Sequence, residues 1–136
     1  MKFGAIFPQL DIGTDVQSIR EYILEVEAMG YEHLLLYDHV LGANPEREGA
    51  WKGSYTYQSA FHEVFVTLAY AAAFTTKIEL IGVLVLPQRQ ASLAAKQATQ
   101  LDLLSGGRLR LGVGVGWNTV EMESMGMNSS NLGRSK

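Results

Sequence analysis

His39 is the residue of this chain best suited to moving a proton. A free imidazole titrates at about pH 6.5 and so both donates and accepts near neutrality, and His39 follows Asp38 at the end of an apolar run, His33 to Tyr37 (HLLLY). Asp38-His39 also reads as a plain loop cap; its place at the end of a strand favours chemistry. Pro8-Gln9, Pro87-Gln88 and Gly116-Trp117-Asn118 likewise close apolar runs. Gly112-x-Gly114-x-Gly116 lacks the third glycine of a dinucleotide fingerprint, because Trp117 stands in its place. These glycines instead let a planar ligand or a neighbouring backbone approach closely. His62-Glu63 opens a zinc-protease pattern, but Val66 occupies the second ligand's position, so His62 is expected on a helix surface or interface. His33, before its strand, is expected to be structural. With three dispersed His and no Cys, no metal site is expected.

The elements that must position these residues alternate. Residues 3–7 read as a short strand, and Val16, Ile19, Ile23 and Val26 give the next segment an apolar helical face. Thr14 and Gln17 have capping-box spacing, Gly30 suits the helix end, and Arg20, Glu21, Glu25 and Glu27 are assigned to water. HLLLY reads as a strand buried on both faces, as in parallel sheets. Residues 38–57 form a long loop carrying Trp51, Tyr55 and Tyr57, which either line a pocket for a flat ligand or pin the loop. A helix apolar nearly all round is predicted over 59–74, a strand over 78–86, a helix over 91–104, a strand over 108–115 and a helix start at 121–125. Arg89 either binds an anion or merely opens the third helix. This βα alternation implies parallel strands with right-handed crossovers. Two α/β architectures share it, a doubly wound sheet and a TIM (β/α)8 barrel, and both bind ligands at the C-terminal strand ends. A barrel needs about 250 residues, so this chain would supply only about the first four βα units.

The chain has 136 residues, 11 Lys and Arg against 14 Asp and Glu, and a formal charge of −3. That balance argues against a nucleic-acid partner. With 47% apolar and 18% charged residues it can bury one core. No apolar run approaches the roughly 18 residues of a membrane span and no signal peptide is legible, so a soluble, cytoplasmic protein is expected.

Asp38-His39-Val40, the run from Leu84 to Gln90 (LVLPQRQ), the run from Leu104 to Asn118 (LSGGRLRLGVGVGWN) and Glu121 together resemble the luciferase-like monooxygenase superfamily. Within it they are most similar to the deazaflavin (coenzyme F-420) dependent oxidoreductases, with FMN-dependent monooxygenases as near relatives. The resemblance runs from Met1 to about Arg134. It implies that residues 1–136 form the N-terminal half of a luciferase-like (β/α)8 barrel domain, with the cofactor ring over the C-terminal strand ends. It also implies that Asp38 helps hold the ring, that His39 is the catalytic residue at its reactive face, and that strand three carries a bulge and a non-prolyl cis peptide, Val83–Leu84, beneath it. Gly114, Gly116 and Trp117 complete the expected cofactor contacts, and Trp51 and Tyr55 the expected substrate pocket. Some deazaflavin dehydrogenases carry a carboxylate general acid where this chain has Trp117, so that role does not transfer. Asn131 to Arg134 resembles the start of the helix before strand five, and most family contacts to the cofactor phosphate belong to the other half.

The expected activity is hydride transfer between a cofactor, coenzyme F-420 before FMN, and a small-molecule substrate. The alternative is a non-catalytic half-barrel assembly module that has lost cofactor binding. A half-barrel leaves edges and apolar surface open, so a homodimer or higher homo-oligomer is expected, burying the helix around Phe61 to Phe74.

Overall fold

A computed structural model describes residues 1–49 and 51–127; the expectation for Asn131 to Arg134 lies outside them. The elements follow as β1 (Gly4–Ile6), α1 (Val16–Ala28), β2 (His33–Tyr37), α2 (Val64–Ala72), β3 (Glu79–Val85), a 3-10 turn (Leu86–Gln88), α3 (Ala91–Ser105), β4 (Leu109–Gly114) and α4 (Thr119–Ser124). All strand pairs are parallel, in the order β1-β2-β3-β4. Ala5, Leu34, Leu80 and Leu109 form one continuous row across the sheet.

That order separates the two architectures. A doubly wound sheet reverses its strand order and carries helices on both faces. Here the order is sequential, and Ile19, Ile23 and Val26 of α1, Phe65 and Leu68 of α2, and Ala94 and Leu101 of α3 share one core with Leu34, Leu36, Leu80 and Leu84. Helices on one side of a sequential parallel sheet make a (β/α)8 wall. The chain therefore forms a partial barrel of four βα units. Among the described residues no strand lies opposite its inner face, and β2 and β3 alternate between buried and half-buried residues instead of being covered on both sides.

Local chemistry sets the element ends. Asp15, not Thr14, caps α1, accepting from the Ser18 N–H at 2.8 Å and the Ser18 hydroxyl at 2.6 Å. Val16 thus falls in the first turn and is exposed, leaving Ile19, Ile23 and Val26 as the apolar stripe. Glu27 does not face open water: its carboxylate accepts the N–H groups of Thr76, Lys77 and Ile78, tying α1 to the turn before β3. Gly30 and Gly106 end α1 and α3 with positive φ. Arg108 fixes the other side of that turn, donating to Thr75 Oγ1 and to the carbonyls of Ala72, Thr75, Ile78 and Ser105.

Helix α2 starts later than its apolar run. Residues 59–63 belong to the preceding loop and Glu63 caps the helix through the Val66 N–H. His62, just before it, donates from Nε2 to the Gly13 carbonyl at 2.9 Å and meets the Phe7 ring edge-on, a clip between two loops. Gly82 lies under α2: a Cβ there would stand 2.8 Å from Val64 Cγ1, so glycine serves helix-to-sheet contact. It does not relax a bulge. No peptide bond among the described residues is cis, and β3 stays in register through Tyr37↔Val83, Leu84↔Val113 and Val85↔Gly114, which corrects both the bulge and the cis Val83–Leu84 bond.

Candidate active site

The C-terminal ends of β2, β3 and β4 enclose a cavity of about 220 Å³. Tyr37, Asp38 and His39 form one wall, Val83, Leu84 and Val85 the middle, and Gly114, Gly116, Trp117 and Asn118 the other, with Gln88 and Glu121. A larger groove of about 340 Å³ lies on the outer surface between α2 and α3, walled by Phe65, Val66, Ala69 and Leu101 around Lys96. It holds no acid–base pair. The smaller cavity carries a buried imidazole–carboxylate pair.

His39 belongs to the β2 wall. Its Nδ1 lies 2.9 Å from Glu121 Oε2, and the two side chains are 9% and 1% exposed. Phe61, Tyr55 and Trp117 surround the ring at centroid distances of 4.6, 5.0 and 5.8 Å. The imidazole is therefore packed, not the lightly buried loop-end group its sequence position suggests. Glu121 Oε1 accepts the N–H groups of Val40 and Leu41, closing the turn that follows β2. Burial acts to raise the Glu121 pKa, but the His39 hydrogen bond and the two backbone donors outweigh it and hold the carboxyl below its ordinary range.

Asp38 is 4% exposed, and its carboxylate is fully engaged. Arg89 grips it bidentately, Nη2 to Oδ1 at 2.7 Å and Nε to Oδ2 at 2.8 Å, and the Val85 N–H adds a third bond at 3.2 Å. Arg89 also reaches Glu63 at 2.9 Å and lies over the Phe65 ring. Its anion is thus internal, and Asp38 borders the cavity while welding the β2 end to the turn after β3. Gln9, after β1, is turned away: its amide donates to the Tyr37 carbonyl and accepts the His62 N–H.

The glycine run serves two purposes. At Gly116 φ is +78° and a Cβ would meet Met122 Cε at 2.3 Å and Val85 Cγ1 at 2.6 Å, so only glycine lets the chain turn there. At Gly114 a Cβ would approach nothing nearer than the Leu84 carbonyl oxygen at 4.0 Å, so its missing side chain leaves open floor. Trp117 is exposed beside it, stacked on Trp51 at 6.2 Å and tilted against Tyr55. Trp51 and Tyr55 do not line the cavity themselves; they back the His39 and Trp117 walls.

Two polar atoms at the cavity have unused capacity. Asn118 caps α4 by accepting the Glu121 N–H, but its Nδ2 is buried without a partner, as is Gln88 Oε1. An unmade buried hydrogen bond costs about 1–3 kcal/mol, so a donor and an acceptor held this way suit a ligand with a polar edge. Gln88 and Asn118 stand at the strand ends where the sequence placed them; the Glu121 partnership with His39 was not among the candidates drawn from sequence. Asn118-x-x-Glu121 does have capping-box spacing, yet Glu121 turns away from its own helix and crosses to the β2 loop.

The family model described as luciferase-like monooxygenase matches residues 1–134. The chain belongs to that family. It is 30% identical over 140 residues to 4-hydroxyprotoasukamycin monooxygenase of Streptomyces nodosus subsp. asukaensis, covering 98% of this chain and 34% of that protein. Among solved structures, the FMN complex of the oxygenating constituent of 3,6-diketocamphane monooxygenase from Pseudomonas putida superposes with a TM-score of 0.75 at 18% identity, over 99% of this chain and 35% of that one. The coenzyme F420 dependent tetrahydromethanopterin reductase of Methanopyrus kandleri gives 0.66 at 24%, over 94% and 30%. The chain spans about a third or less of the length of these relatives. Among the described residues no group of three or more His, Asp or Glu is placed to hold a metal, and no helix is long and apolar enough to cross a membrane.

Proposed function

We propose that this chain forms the ring-side part of a luciferase-like oxidoreductase site, in which hydride passes between a flavin-class cofactor and a small organic substrate while His39 handles the proton. The observation that carries the reading is the buried His39–Glu121 pair on a cavity built from three strand ends. Coenzyme F-420 is the first candidate and FMN the second; the bound cofactor supplies the hydride chemistry. In this reading Val83, Leu84, Gly114 and Gly116 underlie the ring, Trp117 flanks it, Asn118 Nδ2 and Gln88 Oε1 meet its polar edge, and Asp38 holds the wall through Arg89. Trp51 and Tyr55 bound the substrate side.

The cavity is small for a whole cofactor. At about 220 Å³ it falls below the roughly 300–1,000 Å³ that encloses a whole drug-sized ligand. It suits a ring edge and not a complete nucleotide, so affinity for the 136-residue chain is expected to be weak. Titration with coenzyme F-420 and with FMN, followed by quenching of tryptophan fluorescence, tests this. Saturable quenching that falls sharply in Trp117→Phe supports the reading; no quenching by either cofactor, or quenching untouched by the substitution, counts against it.

A second reading, an assembly module without catalysis, draws on exposed apolar residues along and just after β4, where Leu111, Val113 and Val115 are 38%, 57% and 66% exposed. Both readings include homo-oligomerisation. Light scattering separates them only in combination with the titration: an oligomer that binds neither cofactor favours the module.

A further inference from the structure

We propose that Glu121 is a positioning residue that fixes the tautomer of His39, placing the proton on Nδ1 and presenting the Nε2 lone pair to the cavity, so that the site takes a ligand offering an O–H or N–H. This deepens the reading of the cavity as an active site and rests on it.

A backbone N–H can only donate. The N–H groups of Val40 and Leu41 both point at Glu121 Oε1, which must therefore accept. Ionised, Glu121 also accepts at Oε2, and the atom 2.9 Å away, His39 Nδ1, must then be the donor. Two backbone donors and the imidazole favour that ionised form despite burial. The ring cannot readily swap its nitrogens, because Phe61, Tyr55 and Trp117 pack on it. Neutral His39 thus carries its one proton on Nδ1. Among the described residues nothing hydrogen-bonds to Nε2, and His39 lines the cavity.

This arrangement restricts what the site accepts. A hydroxyl or N–H placed against Nε2 finds a base; a carbonyl oxygen there meets a lone pair and is disfavoured while the ring is neutral. The expected substrate class is one that gives up a proton at this position.

The same geometry predicts an inversion. In Glu121→Gln the two backbone N–H groups still require the oxygen at the Oε1 position, which puts the amide NH2 at the Oε2 position, facing His39 Nδ1. A donor there demands an unprotonated Nδ1, and the proton moves to Nε2. An isosteric change would turn the cavity-facing nitrogen from acceptor to donor.

Long-range proton–nitrogen correlation spectra of the uniformly 15N-labelled chain, at a pH where the imidazoles are neutral, read this directly. His33→Gln and His62→Gln, both outside the cavity, assign the His39 ring by elimination. The wild type is expected to show a protonated Nδ1 and a bare Nε2, and Glu121→Gln the reverse, while Glu27→Gln leaves the His39 signals in place. A wild-type ring protonated on Nε2, the result expected if Glu121 were the donor, overturns the proposal even where Glu121→Gln does not fold. An unchanged tautomer in folded Glu121→Gln overturns it as well. No cofactor is needed, so a confirmed tautomer alongside failed cofactor titrations would reject the active-site reading and leave the role of Glu121 standing.

Discussion

Glu27 and Glu121 are the same device at two places in the molecule. Each is a helix carboxylate that leaves its own helix to collect N–H groups from a distant turn: Glu27 those of Thr76, Lys77 and Ile78, Glu121 those of Val40 and Leu41. In each, burial acts to raise the pKa and the hydrogen bonds outweigh it, so both carboxyls sit below their ordinary range. They differ in the last donor. At Glu27 every donor is an amide that cannot titrate, and the result is a staple between α1 and the turn before β3. At Glu121 one donor is an imidazole on a cavity. In the proposed reading, replacing one amide donor by a group that can exchange its proton is what separates an active-site clamp from a structural one.

The comparison breaks first under truncation. Glu121→Ala takes the acceptor from His39 Nδ1, a side chain 9% exposed, and from the N–H groups of Val40 and Leu41, which lie on exposed residues; at about 1–3 kcal/mol for a buried orphan and less where water reaches, the loss is about 3 kcal/mol. Glu27→Ala frees three N–H groups at a partly exposed corner that water reaches, and should cost only about 1 kcal/mol. Urea midpoints of the two variants check the order. Equal losses would show that burial does not separate the two clamps.

Asp38→Ala comes next, at about 2–3 kcal/mol, because it strips a buried guanidinium of its bidentate partner while Glu63 still offers a counter-charge. The loss should shrink in an Arg89→Met background, measured as a double-mutant cycle. Independent losses would mean that the pair is not the weld between β2 and the turn after β3. Gly116→Ala should cost about 2 kcal/mol, combining a left-handed residue with a Cβ driven into Met122 and Val85; thermal unfolding reads it.

The smallest effect is the acid limb. A carboxyl whose folded pKa is depressed contributes stability that is fully present above its unfolded value, here near 4.5, and that disappears as pH falls through the folded value. Stability of the wild type should therefore decline with acidity below about pH 4.5. Glu121→Gln should flatten that decline more than Glu27→Gln, whose carboxylate is screened by solvent. A steeper limb in either variant contradicts the assigned direction.

Much of this was legible in the residues. HLLLY, the β-branched run before Pro87 and the Gly106-Gly107 stop placed β2, β3 and α3 to within a residue or two, because burial and backbone freedom act locally. The cavity residues Asp38, His39, Gly114, Gly116 and Trp117 follow from strand ends alone. What escaped were matters of partnership over distance. Nothing local indicates that Glu121 meets His39, 82 positions away, or that Arg89 closes on Asp38. Nor does anything local indicate that the neighbour of Gly82 in space is Val64. The start of α2 escaped for a related reason: residues 59–63 carry apolar character that is spent on loop packing, with Phe61 against His39 and Tyr37.

In the proposed reading the strand-end cavity with the His39–Glu121 pair receives the flat ring of a flavin-class ligand. Lumiflavin, the ring without phosphate, isolates that contact. Titrated into the 15N-labelled chain, it is expected to shift the amides of Asp38, His39, Gly114 and Gly116, the Trp117 indole and the Asn118 side-chain NH2, at about millimolar affinity for so small and open a site, while Thr76, Lys77 and Arg108 stay fixed. Shifts confined to the outer groove around Val66, Lys96 and Leu104, or no shift at the strand ends up to the solubility limit of the ring, would contradict the account.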